Sequence, residues 1–268
     1  AGSATLTSRL LGLVREQVLA AIVGAGNEMD AYLVAFRIPN LLRDLFAEGA
    51  MSAAFVPRFT RHLTVHGRAE AWRLGNNVLN ALLLITGAIV AVGYVYSEPL
   101  VSEYAQRFAE VPGKLELSLF LTRVMLPFLT LATTAALAMG MLNSLQHYFI
   151  PALAPATFNV VAILFALTLT PVMPSIGLPP ITAIAIATVA GGLTQVALQW
   201  PSLRREGYRY RPVLDLRDPE LRRVLLLIGP GTIGLAATQV NLLVTTLLAT
   251  GEGTGAVSWL QYAYRIMY

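Results

Sequence analysis

Arginine side chains inside apolar stretches are the residues of this sequence with the clearest capacity for chemistry. Arg9, Arg15, Arg37 and Arg43 lie in two early apolar segments, and Arg265 lies in the last one. A guanidinium keeps its charge and binds phosphate through two parallel N–H bonds. Because an ionisable group at the bilayer centre costs about 2.5–3.5 kcal/mol on insertion scales, such groups usually face a cavity or a partner.

Helical spacing gathers these groups on shared faces. At about 100° per residue, Arg9 and Glu16 lie on one face of the first segment. One stripe of the second segment, interrupted by Pro39, holds Arg37, Asn40, Asp44 and Glu48. Arginines outnumber carboxylates here, so we expect unpaired positive charge at Arg15 and Arg43, which suits an anionic ligand. The alternative is a set of buried ion pairs or of side chains that reach the interface, which we favour for Glu48.

The segments that carry these arginines have the composition of a membrane protein. The chain is 56% hydrophobic and 13% charged, whereas a soluble domain is about 25% charged. A membrane-spanning helix needs roughly 20 mostly apolar residues. Candidate spans cover residues 5–23, 31–56, 78–96, 117–145, 152–172, 181–203 and 224–250, and an eighth begins near Gly255. Buried helices of a soluble protein would explain one or two of these, so the sequence predicts an all-α polytopic membrane protein.

The loops predict the orientation. Lys and Arg concentrate in cytoplasmic loops. The loops after the second and sixth spans are rich in arginine: Arg58, Arg61, Arg68, Arg73, Arg204, Arg205, Arg209, Arg211, Arg217, Arg222 and Arg223. Residues 24–30, 174–180 and 251–255, which follow odd-numbered spans, contain no basic residue. We therefore expect a cytoplasmic N-terminus.

Several functional classes lack their signatures in the sequence. The chain has no cysteine and three histidines, and it contains no catalytic or nucleotide-binding motif, so we predict no enzyme, no metal site and no bound cofactor. Transport would then depend on an ion gradient, the membrane potential or substrate flow. The RREGYRYR run at 204–211 has aromatic residues between arginines, but beside a span end it indicates an interface anchor, and we expect no nucleic-acid partner.

Three motifs between residues 8 and 59 resemble the start of the MurJ (MviN) lipid II flippases. These are SR-x-LG-x-x-R, DA-x-x-VAFR-IPN-LLR and FAEGA-x-S-x-AFVP. Later pieces also fit, such as PA-x-AP-x-x-x-N at 151–159, GG-x-x-Q at 191–195 and SW-x-x-YA-x-R at 258–265. The family belongs to the multidrug/oligosaccharidyl-lipid/polysaccharide exporter superfamily, and the likeness covers essentially the whole chain.

The resemblance implies a fold of fourteen transmembrane helices in two lobes. Residues 1–205 would be the six-helix N-terminal lobe, residues 206–223 a cytoplasmic linker, and residues 224–268 helix seven with the start of helix eight in the second lobe. The chain begins without Met or a basic signal region and ends inside an apolar run, so we expect a piece of a longer protein. The family moves lipid II, an undecaprenyl-pyrophosphate disaccharide-pentapeptide, across the bacterial inner membrane by alternating access.

The resemblance also assigns substrate-binding residues. They are Ser8, Arg9, Arg15, Asp30, Asn40, Arg43, Glu48 and Arg265, with less defined roles for Ser8, Asn40 and Glu48. Two positions depart from the family pattern, because Asp44 stands where a base often follows Arg43, and Tyr264 where an Asp often precedes Arg265. Some members bind sodium on helix seven, but Gln239 and Asn241 are not carboxylates, so no metal site is predicted there.

We expect Arg15, Arg43 and Arg265 to face one cavity and to capture the pyrophosphate from the inner leaflet. Two other functions remain open at this point. A related exporter of drugs or of another polyprenyl-linked sugar would share the fold, but drug exporters should prefer carboxylates in the cavity. A non-transporting scaffold of cell-wall assembly should have its arginines fully paired and no cavity.

Overall fold

All the regular secondary structure in the described part of the chain is helical. The computed structural model describes the backbone of residues 2–44 and 50–267, and the side chains of 6–44, 53–228 and 240–264. The α-helices of this part are α1 (Gly2–Ile22), α2 (Asn27–Arg43), α3 (Ala50–Val65), α4 (Gly67–Val95), α5 (Ser97–Tyr104), α6 (Lys114–Met125), α7 (Phe128–Ser144), α8 (Phe149–Thr168), α9 (Thr182–Arg205), α10 (Pro219–Thr250) and α11 (Ala256–Met267). Short 3₁₀ helices cover Gln106–Glu110 and Met173–Ile176.

Within the described residues, four helical segments are long and apolar enough to cross a membrane. They are Gly67–Val95, Lys114–Ser144, Phe149–Thr168 and Thr182–Arg205. The second combines α6 and α7, which meet at Leu126 and Pro127. Proline lacks the N–H that would continue the helical ladder, so this span is made of two helices. These four segments match the third to sixth predicted spans.

The first part of the chain differs from the predicted elements. Residues 31–56 were predicted as one span. The helices α2 and α3 cover its two ends, and because 45–49 lie outside the described residues, that prediction stays untested. The arginine-rich segment Arg58–Arg73 was predicted as a loop, but it is helical except at His66: α3 continues to Val65 and α4 begins at Gly67. Hydropathy locates where a helix leaves the apolar layer, but a helix can continue into water when its backbone bonds are satisfied.

One hydrophobic core lies where α3, α4 and α7 meet the start of α10. Phe55 and Phe59 of α3 pack with Trp72 of α4, and Tyr208 and Leu221 complete the cluster from the chain after α9. The predicted linker 206–223 therefore contributes to a core. Its non-helical segment ends at Asp218, which caps the N-terminus of α10.

A second core joins α1 and α2 to α6 and α9. Met29 and Tyr32 of α2 pack against Leu121 and Met125 of α6 and Ile184 of α9. On the far side of α9, Gly191 allows α8 to approach closely, because a Cβ atom there would lie 2.5 Å from a ring carbon of Phe158. Small residues permit such close helix contacts in membranes. This contact fixes the part of α8 that faces α1.

Candidate functional site

The Arg15 side chain of α1 lies against α8 and keeps one buried N–H donor without a partner among the described residues. Its Nη1 donates to Asn159 Oδ1 over 3.1 Å, and its Nη2 contacts Glu16 Oε1 at 2.5 Å. The guanidinium carbon lies 5.6 Å from the ring centre of Phe158, in the range of a cation–π contact. The Nε atom is buried without a partner among the described residues. Two N–H groups and one face of the guanidinium thus contact protein, while the Nε donor has no partner in the described part of the chain.

Asn159 of α8 binds two residues of α1 and orients the Arg15 side chain. Its amide oxygen accepts from Arg15, and its Nδ2 donates to the carbonyl oxygen of Ser8 over 3.1 Å. Asn159 is buried, so both halves of its amide are used at a site without bulk water. Ser8 enters the site through its backbone. Asn159 belongs to a motif shared with the family, but the sequence assigned it no role. Its two hydrogen bonds to α1 join residues more than 140 positions apart and become visible only in the fold.

Arg43 at the end of α2 forms a second cationic position. Its Nε and Nη2 both contact Asp44 Oδ1, at 3.0 and 2.6 Å, and Asn40 Nδ2 donates to the other oxygen of Asp44 over 3.3 Å. Arg43 also lines a cavity of about 130 Å³ with Gln195 and Gln199 of α9. The amide oxygen Oε1 of Gln199 is buried there without a partner among the described residues.

The expectation that Arg15 and Arg43 lack acidic partners is wrong. Each contacts the carboxylate that follows it in sequence, Glu16 or Asp44. Counting residues in a segment treats all its charges as one pool, whereas adjacent side chains on a helix can turn toward each other when both avoid lipid. Arg9 and Arg37 are the arginines of α1 and α2 without an ion-pair partner among the described residues.

Arg37 is a candidate that sequence reasoning placed on the polar stripe but did not assign. Its Nε and Nη2 atoms are buried without a hydrogen-bond partner among the described residues. It lines a cavity of about 80 Å³ between α2, α10 and α11, together with Asn40, Gln261 and Tyr264. Its position one turn before Asn40 was the available signal. Arg9, by contrast, is exposed on the outer part of α1.

Asp30 belongs to a separate network at the other end of α2. Its side chain is buried and pairs with Lys114 of α6 at 3.0 Å. It also accepts from the backbone N–H groups of Gly255 and Ser258 and from the Ser258 hydroxyl, at 2.8, 3.0 and 2.6 Å. All its acceptor capacity is used, so substrate could reach Asp30 only after α6 and α11 move away.

The structure therefore brings the predicted residues together in three groups. Ser8 and Arg15 meet at Asn159, Asn40 and Arg43 meet at Asp44, and Asp30 meets the start of α11. Glu48 and the side chain of Arg265 lie outside the described residues. Among the described residues, no group of three or more His, Cys, Asp or Glu could hold a metal ion. The chemistry available is anion binding by guanidinium.

Comparison with known proteins identifies a family. The model of the family "Lipid II flippase MurJ" matches residues 19–268. A probable lipid II flippase of Rhizobium meliloti (strain 1021) is 37% identical over 99% of this chain and 49% of its own length. The chain thus spans about half the length of the curated relatives it matches.

The fold is similar to those of two transporters of known structure. A structure of a lipid II flippase in an inward closed conformation matches with a TM-score of 0.79 and 25% identity, over 99% of this chain and 54% of that one. An inward-facing multidrug resistance transporter of the MATE family matches with a TM-score of 0.72 and 15% identity, over 96% of this chain and 57% of that one. The chain therefore belongs to the MurJ lipid II flippase family, a family of membrane transporters rather than enzymes, as the motifs predicted.

Proposed function

We propose, from its membership in the lipid II flippase family, that this chain forms the first lobe of a flippase and the beginning of its second. The proposed substrate is lipid II, taken from the cytoplasmic leaflet and released in the periplasmic leaflet of the bacterial inner membrane. Residues 1–205 would form the first lobe, 206–223 the linker and 224–268 the start of the second lobe. Membrane lipids surround the helices.

The observation that carries this proposal is the partial use of the guanidinium of Arg15. Five N–H donors are available on an arginine. Glu16 and Asn159 hold two corners of this one, while the buried Nε has no partner among the described residues. A buried unpaired donor is costly, so it favours a ligand with acceptor oxygens. A pyrophosphate supplies such oxygens and a negative charge.

Arg37 and Arg43 extend the same chemistry along α2. Both line cavities, and Arg37 carries two buried donors without partners among the described residues. These cavities of about 80 and 130 Å³ are smaller than the roughly 300 Å³ that a drug-sized ligand occupies. We propose that they are parts of one larger cavity that opens when the two lobes separate, with Arg9 at its cytoplasmic entrance.

Asp30 would act in the closing step of this cycle. Its carboxylate binds the first turn of α11 and the ammonium of Lys114, which joins the start of the second lobe to the first. We propose that opening toward the periplasm breaks these bonds and exposes Asp30 to the substrate path. The network is closed in the conformation described here.

The two alternative functions fit the site less well. A drug exporter that binds cations needs free carboxylates, but Glu16 and Asp44 are both paired with arginine. A scaffold should have all its arginines paired, whereas Arg9 and Arg37 have no ion-pair partner among the described residues. An exporter of another polyprenyl-pyrophosphate sugar would use the same anion site, so the substrate has to be separated by assay.

Growth rescue by the full-length protein tests the proposed activity. In cells depleted of their own lipid II flippase, the unchanged protein should restore growth and lipid II externalisation, and the Arg15→Ala variant should restore neither at equal membrane levels. Arg61→Ala removes an exposed arginine of α3 and serves as the control. Normal growth on Arg15→Ala as the only copy, or rescue of another sugar-lipid pathway alone, contradicts the assignment.

Labelling of single cysteines tests the proposed orientation. The chain has no cysteine of its own, so cysteines placed in a full-length protein without other cysteines, at Asn27 or at Arg217, give unambiguous signals. We expect a membrane-impermeant maleimide added to spheroplasts to label position 27 and not position 217. The reverse pattern would invert the topology.

A further inference from the structure

A basic pocket lies at the N-terminal end of α4 and shares no lining residue with the cavities of Arg37 and Arg43. It has a volume of about 430 Å³ and is lined by α4 and by the chain that follows α9. Three arginines line it, Arg73, Arg209 and Arg211, and one carboxylate, Glu70. Arg73 lies 3.9 Å from Glu70. Neither guanidinium of Arg209 and Arg211 has a hydrogen-bond or ion-pair partner among the described residues.

The backbone that carries these two arginines is held rigidly although it forms neither helix nor strand. Asn76 accepts from the Arg211 N–H and from the Tyr208 hydroxyl, and its Nδ2 donates to the Arg209 carbonyl oxygen at 3.0 Å. Asn80 Nδ2 donates to the carbonyl oxygens of Arg211 and Val213, at 2.9 and 2.8 Å. A binding group on a pre-ordered backbone loses less entropy when it captures a ligand.

A third asparagine completes the attachment. Asn77 accepts from the Asp215 N–H at 2.8 Å and donates to the Asp215 carbonyl oxygen at 3.1 Å. Asn76 and Asn77 are both buried, so their amides are committed to this loop. The tether fixes the backbone and leaves the arginine head groups open, which is the arrangement of a binding site rather than of a topology signal alone.

By the length of α4, the pocket begins at the depth of lipid headgroups and extends into the water beyond them. Its α4 residues run from Ala69 to Asn76, and the apolar part of α4 begins at Val78. At 1.5 Å per residue, the pocket lies roughly 3–14 Å outside the apolar boundary. The polar headgroup layer is about 5–8 Å thick on each side of the hydrocarbon core.

Apolar side chains on the same segment also face outward. Tyr210, Leu214 and Leu216 are 48%, 44% and 55% exposed. An aromatic and two leucines beside unpaired arginines suit contact with a membrane surface rather than with water. A free anion in solution would gain nothing from them.

We infer that this pocket binds the phosphate headgroup of an anionic glycerophospholipid. The guanidiniums of Arg209 and Arg211 bind the phosphate oxygens, Arg73 adds a third positive charge, and the acyl chains lie along the exposed apolar residues of the segment. The inference uses the proposed orientation only to name the leaflet, which is the cytoplasmic one. The bound lipid holds the segment between the two lobes against the membrane.

Lipid binding to the purified full-length protein tests the inference without any measurement of transport. Native mass spectrometry is run with phosphatidylglycerol and with phosphatidylcholine of the same acyl chains. The Arg209→Gln/Arg211→Gln double variant should bind phosphatidylglycerol about 25-fold less at this site, because each arginine near a lipid surface contributes a factor of about five. The Arg204→Gln/Arg205→Gln variant removes the same charge from the end of α9, outside the pocket, and should bind within about twofold of the unchanged protein.

Further arms separate the remaining explanations. Arg209→Lys/Arg211→Lys keeps the charge and should restore most of the binding, and equal melting temperatures exclude misfolding. Equal losses in both Gln variants would mean a general charge effect and overturn the pocket. Unchanged binding in the Arg209/Arg211 variant, equal retention of phosphatidylcholine, or displacement of the lipid by excess inorganic phosphate would each overturn the assignment. A flippase assay can fail independently, because none of these readouts uses lipid II.

Discussion

Two charged regions of the first helices use opposite solutions for burying charge. At Asp30, one carboxylate meets an ammonium and three N–H or O–H donors, so every polar atom is satisfied. At Arg15 and Arg37, guanidinium atoms remain buried without partners among the described residues. A satisfied network holds helices together, whereas a buried donor without a partner is costly and favours a ligand with acceptor oxygens.

The contrast teaches that buried charge alone does not identify a binding residue. Asp30 and Arg15 both came from the same family motifs, yet their surroundings assign them different roles in this conformation. The difference between them is the number of buried donors and acceptors that have no partner in the folded protein. Substitutions that change this number in one region should affect stability and transport differently from substitutions in the other.

The largest effect is expected from Lys114→Met. Methionine matches the length of the lysine stem, but it leaves the Asp30 carboxylate buried without its counter-charge. Removing one partner of a buried pair costs about 3–5 kcal/mol. The free energy of unfolding in detergent should fall by that amount, and the Lys114 contact with the Phe108 ring, 4.0 Å away, is also lost. The Asp30→Asn/Lys114→Met variant removes the unpaired charge while an amide oxygen can still accept from Gly255 or Ser258, so it should recover part of the loss; additive losses would contradict the closed network.

Asn159→Ala should have an intermediate effect. It removes two hydrogen bonds, from Arg15 and to the Ser8 carbonyl oxygen, at about 0.5–1.5 kcal/mol each. Transport should also decrease, since Arg15 loses a contact that orients it. Thr157→Ala is a control on the same helix turn, whose hydroxyl bonds only to the Ala154 carbonyl oxygen. Full transport with a large loss of stability would mean that Asn159 is purely structural.

Arg37→Met should change stability in the opposite direction from Lys114→Met. The variant removes two buried donors that lack partners among the described residues, so unfolding should become more costly by up to about 1 kcal/mol. Transport by the full-length protein should decrease at the same time, because a cationic group of the proposed cavity is lost. A variant that is less stable but fully active would remove Arg37 from the site.

The smallest effect is expected at an ion pair outside the membrane. The His147 ring nitrogen lies 2.9 Å from Glu206, and this hydrogen bond, with help from Arg68, lowers the pKa of the Glu206 carboxyl despite partial burial. A lowered pKa stabilises the fold above the usual carboxyl pKa of about 4.3, and that stability is lost as the pH falls through the folded value. Because His147 is exposed and solvent screens the pair, His147→Gln should reduce the acid dependence of the free energy of unfolding by only about a few tenths of a kcal/mol, as measured by urea denaturation between about pH 3 and pH 6. A larger change would mean that the pair is buried in the full-length protein.

Much of the fold could be predicted from hydropathy. The fourth to sixth spans were located within a few residues, and the third was correct at its end but begins eleven residues earlier, at Gly67. A long apolar run has few stable alternatives to a membrane helix. The helices that cover Arg58–Arg73 could not be predicted in this way, since a helix can continue where hydropathy falls. The motifs also identified the family.

The pairing of charges depended on the tertiary structure. Glu16 and Asp44 are visible as neighbours of Arg15 and Arg43 in the sequence, but their contacts depend on side-chain rotamers that the surrounding helices allow. Asn159 reaches Arg15 from a position 144 residues away, and the asparagines of α4 reach a segment more than 130 residues away.

The sequence by itself determined the apolar lengths, the distribution of arginine and the family motifs, because these depend on residue type and local spacing. Only the tertiary structure decided which charges are satisfied and which remain open. That outcome depends on donors and acceptors brought together from distant helices, and local sequence carries no record of their distances.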